Sequence, residues 1–423
     1  MNSNPCRNPK FSHWLLVLTC SLFCEVAISS DWPQILGPAR NGVYAGSDLA
    51  EAWPKAGPPI VWQKKIGRGF AGPAVAAGKL ILFHRLEDKE TVACLDAQTG
   101  DELWQIDYPT AYRDDFGFDD GPRAVPAVAD GRVYTFGAEG ALYCLDLATG
   151  RKIWNVDTKT GFKAGKGYFG MACSPLVEGN AVLMNIGGAN GAGIVAFDKA
   201  TGKLLWKATD DEASYSSPTA ATINGMRHVF VFTRSGLAAL APLSGKVEFQ
   251  FPWRASYSAS VNAATPLVID DLVFLSASYQ TGAVLLRVKE SSFETVWSGD
   301  DLLSNHYATS VYRDGFLYGF DGRADPGFQP PPSLRCVEFK TGKVRWSKTG
   351  LGAGTVTLAD DALLLLMENG QMLRVAAQSG QYKETARAQI FPAGMRAFPA
   401  LADGCLYARS KDKLFCVDLR KRK

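Results

Sequence analysis

The sequence predicts an all-β protein, an eight-bladed β-propeller made of four-stranded antiparallel blades. The first observation is a nine-residue phrase: Asp96–Trp104 recurs as Asp146–Trp154, as Asp198–Trp206 and, with Glu in first place, as Glu338–Trp346. The second is that short apolar runs of strand length flank each copy, with no long segment of helical period. A phrase that recurs about every 40–50 residues between short strands indicates blades repeated around an axis.

The phrase also predicts how one blade meets the next. Its Thr-Gly pair closes a tight hairpin because Gly adopts a positive φ without steric cost, and its Asp accepts hydrogen bonds from the backbone of that turn. The aromatic residue four positions after the Gly lies on the outgoing strand, where its ring packs against the neighbouring blade. The residues expected to dock blade to blade are Trp62, Trp104, Trp154, Trp206, Phe249, Trp297 and Trp346.

Residues 1–30 have the features of a secretory signal peptide. Arg7 and Lys10 form a positive start, and Trp14–Cys24 is an apolar stretch too short to span a bilayer. Small residues suited to cleavage follow at Ala27 and Ser29. We therefore expect a periplasmic or secreted protein, and no later segment is apolar and long enough to cross a membrane.

The alternative for this leader is a lipoprotein signal, with the lipid on Cys20 or Cys24. Thr19 and Phe23 stand before these cysteines, where a small residue is expected. The sequence therefore favours cleavage without lipidation.

The remaining chain divides into an arm and the propeller. Residues 31–59 show few strand signals, and we expect them to lie along the surface of the ring. Residues 60–423 contain the blades, of which the eighth, Phe398–Leu419, has only three strands. Ile60–Ile66 is a strand with a correctly placed Trp and no blade of its own. We expect this N-terminal strand to complete blade eight, which closes the ring and removes exposed edges.

One blade carries an insertion. Asp321–Pro332 interrupts blade six between its second and third strands, and its tip is rich in proline. Proline cannot donate to a strand ladder, so we expect this tip to project into solvent, as a tolerated insertion or as a partner contact.

Charge and cysteine content exclude several function classes. The formal net charge is +3 over 423 residues, which provides no whole-protein electrostatic basis for binding nucleic acid or an anionic membrane. No Cys-x-x-Cys pair exists, so a zinc or thioredoxin-like site is not expected. Four cysteines stand two residues before the acidic residue of the repeat, which predicts small buried hydrophobes on equivalent strands: Cys94, Cys144, Cys336 and Cys416.

The phrase Asp-x-x-Thr-Gly-x-x-x-Trp, placed on the last hairpin of each blade, resembles the pyrroloquinoline-quinone (PQQ) repeat. That repeat occurs in quinoprotein alcohol dehydrogenases and in the outer-membrane assembly factor BamB. The resemblance covers residues 60–419. The segment Asp31–Pro38, followed by Arg40-Asn41-Gly42, also resembles the mature start of secreted PQQ-like propellers of planctomycete-type bacteria.

The resemblance implies two functions of different classes. The first is a binding or scaffolding propeller of the cell envelope, similar to BamB, with an envelope protein as its partner. The second is a small quinoprotein that oxidises an alcohol or sugar with PQQ and Ca²⁺. This sequence lacks the adjacent cysteine pair of many such dehydrogenases, and their catalytic Asp and calcium ligands match no motif here. The sequence therefore favours the non-catalytic protein, with no catalytic residue and no metal ligand assigned.

Ligand contacts are expected where the inner strands of the propeller begin, around the mouth of its channel. The residues just before these strands include Arg68, Arg123, Arg396, Tyr168, Tyr215, Asn262 and His306. Ring closure makes blades eight, one and two neighbours, so the three arginines are expected on one side, where they suit a small anionic ligand. The alternative is that they pair with acids of the same loops, such as Asp114, Asp115, Asp119 and Asp120.

His306 is the one histidine expected near the mouth, which makes it the sole candidate general base. The alternative is a hydrogen-bonded loop histidine. Two glycine-rich segments, Gly67–Gly72 and Gly191–Ala196, mimic a dinucleotide fingerprint. Both continue as strands, and the helix that must hold the phosphates is absent from the pattern, so we reject them.

Overall fold

A computed structural model describes residues 1, 30–255, 257, 260–325 and 327–421. The signal-peptide prediction and the question of Cys20 and Cys24 fall outside these residues. The one helix among them is the five-residue α1 (Thr158–Phe162), so no described helix has the length or apolarity to cross a membrane.

The described residues form eight sheets, each built on four antiparallel strands, which confirms the predicted fold class; the sheet of blade seven has β1 (Val43–Tyr44) as a fifth strand. In chain order, the strands of the arm and of the closing segment come first, followed by those of blades one to eight. They are β1 (Val43–Tyr44) and β2 (Ile60–Lys65); β3 (Ala74–Ala76), β4 (Lys79–Leu86), β5 (Lys89–Asp96) and β6 (Glu102–Pro109); β7 (Ala127–Ala129), β8 (Arg132–Phe136), β9 (Ala141–Asp146) and β10 (Lys152–Asp157); β11 (Leu176–Glu178), β12 (Ala181–Gly188), β13 (Ala192–Asp198) and β14 (Leu204–Ala208); β15 (Thr219–Ile223), β16 (Met226–Phe232), β17 (Gly236–Leu240) and β18 (Val247–Pro252); β19 (Leu267–Ile269), β20 (Leu272–Ala277), β21 (Gly282–Val288) and β22 (Phe293–Gly299); β23 (Val311–Arg313), β24 (Phe316–Asp321), β25 (Ser333–Glu338) and β26 (Val344–Lys348); β27 (Gly354–Ala359), β28 (Ala362–Met367), β29 (Gln371–Ala376) and β30 (Glu384–Gln389); β31 (Ala400–Ala402), β32 (Cys405–Arg409) and β33 (Lys413–Asp418).

The N-terminal strand closes the ring as expected. Strand β2 is the outer strand of blade eight and pairs antiparallel with β33, with Trp62 opposite Cys416. Because the first and last parts of the propeller share one sheet, neither leaves an unpaired edge inside the ring.

Each docking Trp lies on the hairpin of the next blade. The indole N–H of Trp104 donates to the Leu147 carbonyl at 3.0 Å, and Trp62, Trp154, Trp206, Trp297 and Trp346 donate to equivalent carbonyls at 2.8–3.2 Å. In five of these six hairpins a Cβ added to the Gly would meet the ring, as Gly150 shows against Trp104 at 2.5 Å, whereas no atom lies within 4 Å of a Cβ added to Gly380. The Gly of the phrase therefore serves two needs, a positive φ for the turn and room for the docking Trp.

Phe249 follows a variant of this arrangement. It packs edge-on against Phe293 of blade five at 4.6 Å between ring centroids, where the hairpin has lost its Gly. The four cysteines predicted to be buried are buried, and each lies in register opposite the Trp of its own blade, as Cys94 does with Trp104.

The expectation that the arm lies on the surface of the ring does not hold for residues 32–44, which enter the central channel, whereas residues 45–59 include many exposed positions. Trp32 bridges Val75 of blade one, and the Pro33 carbonyl accepts from Val128 of blade two at 2.8 Å. The fully buried Arg40 donates to the carbonyls of Pro175 and Pro218, and β1 pairs in parallel with β27 of blade seven. Sequence reasoning missed this path because the arm pairs through isolated bridges and one two-residue strand.

The strand order defines two faces of the ring. Each inner strand starts at the upper face, which also carries the connections between second and third strands. The repeated phrase and the turns after the inner strands lie at the lower face. Residues from the loops before inner strands and from the second hairpin of each blade are therefore neighbours at the upper face.

Candidate binding site at the channel mouth

The upper part of the channel is a cavity of about 170 Å³, which we call the cup. Ile35 of the arm contributes to its lining and packs with Leu36, Val125 and Phe398. The arm therefore closes the channel beneath the cup. Seven aromatic side chains contribute to the walls: Phe70, Phe118, Phe169, Tyr215, Tyr279, Tyr307 and Phe398.

Four of the seven residues predicted at the mouth line the cup: Arg123, Tyr215, His306 and Arg396. The other three do not. Asn262 is buried and donates to the carbonyls of Thr233 and Trp253, so it holds the loop before blade five. Tyr168 lies under the Arg234 guanidinium, 5.1 Å from it. Arg68 lies in a separate cleft and pairs with Asp120 at 3.3 Å.

The three arginines predicted to share one side are therefore divided between two places. Arg123 lies in the cup and pairs with the buried Asp114 at 3.0 Å, and its guanidinium lies 5.5 Å from the Phe70 ring centre. The alternative weighed from the sequence, that these arginines pair with loop acids, describes both Arg68 and Arg123. The loop that carries these acids, 110–123, folds back on itself, and the Asp114 carboxylate also accepts from the N–H groups of its own loop.

Arg396 belongs to a network that spans blades six to eight. Its guanidinium contacts Glu368 at 3.3 Å and Asp325 at 3.6 Å, and lies 4.9 Å from the Tyr307 ring centre. The Tyr307 hydroxyl donates to Glu368 at 2.7 Å. Burial and the Glu368 charge raise the pKa of Tyr307 well above its ordinary value, so this hydroxyl remains a donor.

His306 is held as a neutral base. Its Nε2 lies 3.0 Å from the Tyr279 hydroxyl and 3.8 Å from Asp325, and its Nδ1 accepts from the Ala324 N–H. Burial lowers the pKa of His306 to about 4; Asp325 opposes this effect, and Arg396 and Arg323 add to it. With both ring nitrogens engaged, His306 orders the wall of the cup, which agrees with the hydrogen-bonded loop histidine.

The depressed pKa of His306 makes stability fall in mild acid. An unfolded His binds a proton below about pH 6.5, but folded His306 does so only near pH 4. Between these pH values the unfolded state binds more protons than the folded state. The free energy of unfolding therefore falls by about 2 kcal/mol between pH 8 and pH 5. Denaturant unfolding measures this fall. Between pH 8 and pH 5, we expect the free energy of unfolding of His306→Gln to fall by about 2 kcal/mol less than that of the parent chain. Tyr279→Phe, which keeps the imidazole, is expected to retain the parental pH dependence, and an unchanged dependence in His306→Gln would contradict this prediction.

Sequence reasoning missed the residues that the second hairpins bring to the cup. Tyr279 comes from blade five, and Asp325 comes from the proline-rich insertion of blade six. That insertion does not simply project into solvent, because Arg323 and Asp325 pair at 2.6 Å beside the cup while Phe328 stays exposed. The strand order carried the signal, since second hairpins and inner-strand starts lie at the same face.

Among the described residues, no group of three or more His, Cys, Asp or Glu is arranged to hold a metal ion. The carboxylates at the cup, Asp325 and Glu368, pair with arginine or accept from tyrosine. The six described cysteines are free and buried, and none lines the cup.

Comparisons with known proteins agree with this architecture. A sequence model of the family described as outer membrane protein assembly factor BamB matches residues 88–348, more than half of the chain. No curated protein sequence matches. The structure is similar to that of BamB from Moraxella catarrhalis, with a TM-score of 0.62 and 16% identity over 86% of this chain and 98% of that one.

Two solved dehydrogenase structures share the fold as well. Quinohemoprotein alcohol dehydrogenase from Comamonas testosteroni has a TM-score of 0.67 and 16% identity, over 93% of this chain and 81% of that one. A europium-containing methanol dehydrogenase has a TM-score of 0.69 and 11% identity, over 90% of each chain. At these identities the likeness shows the fold.

Proposed function

This chain belongs to the family described as outer membrane protein assembly factor BamB, and from that premise we propose that it is a non-catalytic binding propeller of the cell envelope, which holds a partner protein at the cup. The observation that carries the proposal is a set of exposed aromatic side chains around the cup. Phe116, Phe118, Tyr257 and Phe328 are 37–52% exposed, and all four come from loops of the upper face. We call them the aromatic rim.

The aromatic rim has the character of a protein-binding surface. Single exposed apolar residues are common, but aromatic residues gathered around a pocket are typical of interface hot spots. Phe116 packs on Phe169 of the cup wall at 4.9 Å between ring centroids, so rim and cup form one apolar surface. A side chain of the partner inserted into the cup would be buried among these rings.

The charged groups of the cup also support a binding function rather than a catalytic one. Arg123, Arg396 and His306 each have a partner within the protein. A general base has to reach the proton of a substrate, whereas both nitrogens of His306 face groups of this chain. These pairs make the walls rigid, which lowers the entropic cost of binding a partner.

Site-specific crosslinking in the native host tests the proposal. With a photo-crosslinking amino acid at Tyr257, we expect one envelope protein to be captured, and Phe116→Ser with Phe328→Ser should lower the yield at least about tenfold, because hot-spot aromatics each contribute more than 1 kcal/mol. The matched control is Leu103→Ser with Leu205→Ser, which removes two exposed apolar residues from outer strands. Equal loss in both pairs would contradict docking at the rim.

The alternative is a small quinoprotein, which the shared fold of the two dehydrogenases favours. Incubation of the purified chain with PQQ and Ca²⁺ separates the two functions. We expect no quinone spectrum beyond that of free PQQ and no dye reduction with alcohols or sugars. A bound quinone spectrum with turnover would overturn the non-catalytic assignment.

A further inference from the structure

We propose that the seam between blades eight and one contains a second ligand site, which binds a phosphate-bearing anion through Arg68, Arg113 and Lys411. The site is a cleft of about 510 Å³ at the upper face, distinct from the cup. We call it the seam cleft. It does not depend on whether a partner docks at the aromatic rim.

Three separate segments bring cations to the seam cleft. Arg68 comes from the segment that links β2 to β3, Arg113 from the loop between blades one and two, and Lys411 from the second hairpin of blade eight. All three are exposed, and the Arg68 side chain is 70% accessible even though it pairs with Asp120. Guanidinium groups donate in a planar fork that matches the oxygens of phosphate and of carboxylate, and the excess of cations over acids in the cleft favours phosphate, the more highly charged of the two.

Two buried arginines add positive charge behind these three. Arg85 donates to the carbonyls of Glu87, Tyr112 and Asp120, and Arg409 donates to carbonyls that include that of Gly67, at 2.7 Å. Both are at most 3% exposed. Carbonyl dipoles stabilise a guanidinium but do not neutralise it. The charges of Glu90 and Asp119 offset part of the charge of Arg85 and Arg409, respectively, but neither acid lines the cleft.

The pKa of the nearby His84 also reflects the positive charge at the seam. Its Nδ1 accepts from the Gly67 N–H at 2.8 Å, and its buried Nε2 has no hydrogen-bond partner among the described residues. Burial lowers the pKa of His84 to about 3, with further lowering by the charges of Arg409 and Lys64. The imidazole therefore stays neutral beside a cluster of cations.

The acids of the seam cleft are fewer, and two of the three are engaged by the protein. Asp120 pairs with Arg68 and accepts from the Asp114 N–H, and Asp412 accepts from the Ser410 hydroxyl. Glu87 is exposed at the edge. Against these three stand Arg68, Arg85, Arg113 and Lys411 in the lining, with Arg409 behind it. The excess of cations favours an anion that carries more than one negative charge.

The backbone holds the seam cleft in place. Arg68 and Arg85 exchange two N–H to carbonyl hydrogen bonds, at 2.8 and 3.0 Å. A Cβ on Gly67 would collide with the Arg85 carbonyl, so this close approach requires glycine. A pre-formed cleft binds its ligand without the cost of ordering loops.

Calorimetric titration of the full chain with inorganic pyrophosphate at low ionic strength tests the proposal, since salt screens exposed charges. The variant is Arg113→Gln with Lys411→Gln, both exposed and outside the core. The matched control is Arg151→Gln with Lys203→Gln, which removes the same charge from the lower face. We expect saturable binding that weakens at least about tenfold in the seam variant, because charge-assisted hydrogen bonds are lost, and that is unchanged in the control.

Sedimentation with phosphatidylglycerol vesicles, beside phosphatidylcholine vesicles, identifies the source of the phosphate. Retention on the anionic vesicles that pyrophosphate displaces assigns a lipid headgroup, whereas pyrophosphate binding without retention assigns a free anion. Either vesicle retention or pyrophosphate binding supports the seam cleft if it is lost in the seam variant and kept in the control variant. Binding of neither probe, or equal loss in both variants at an unchanged melting temperature, would overturn the proposal.

Discussion

Gly150→Ala is expected to lower the free energy of unfolding by about 3 kcal/mol, through strain at a positive φ and displacement of a docked Trp. Gly150 has a φ of +72°, and its added Cβ would lie 2.5 Å from the Trp104 ring. That ring is also held by its hydrogen bond to the Leu147 carbonyl. Because the contact joins blades one and two, the substitution separates two blades as well as straining a turn.

Gly131→Ala is the matched control. Gly131 has a φ of +70° in the same blade, and no atom lies within 4 Å of its added Cβ. This variant carries the backbone strain alone, and we expect it to cost about 1 kcal/mol. Denaturant unfolding of both variants separates the cost of backbone strain from the cost of displacing the Trp104 ring. Equal losses would mean that the Gly of the phrase serves the turn only and that its contact with the Trp has no energetic weight.

A chain that begins at Ala71 is expected not to form the propeller at all. This truncation removes the arm and β2, so β33 loses its outer neighbour and the hairpin at Gly100 loses the Trp62 ring. We expect the truncation to remove more than about 5 kcal/mol from the free energy of unfolding, which is the lower end of the range for a typical domain. Near-ultraviolet circular dichroism and protease resistance show whether the truncated chain folds. A truncated chain that melts like the full chain would contradict closure by β2.

Moving the strand distinguishes closure from a general effect of truncation. The end of β33 lies beside the start of β2, with Ile60 paired to Val417, so residues 60–66 can follow Asp418 through a short turn. We expect this permuted chain to regain the ring. A chain that begins at Ile60 keeps β2 and loses only the arm. We expect it to close but to melt at a lower temperature, because Arg40 and Ile35 no longer fill the channel.

The local pattern of the sequence was sufficient for the blades. The phrase sets a hairpin and a docking ring in each copy, and the three-stranded unit at 398–419 together with the lone strand at 60–66 implied closure, which β2 and β33 confirm. These features depend on a period and on neighbours close in the chain. The same period also indicated that loops before inner strands gather at one mouth, where Arg123, Tyr215, His306 and Arg396 meet.

Contacts between non-repeating segments decided the rest. Asp325 joins Arg396 from two blades away, the acids of loop 110–123 engage Arg123 and Arg68, and Arg68 turns to the seam with Lys411. The path of the arm into the channel follows from single pairings such as Trp32 with Val75. The sequence by itself thus determined the ring, because repetition imposes its geometry, whereas only the tertiary structure decided which charges share a site, because each loop is placed by partners distant in the chain.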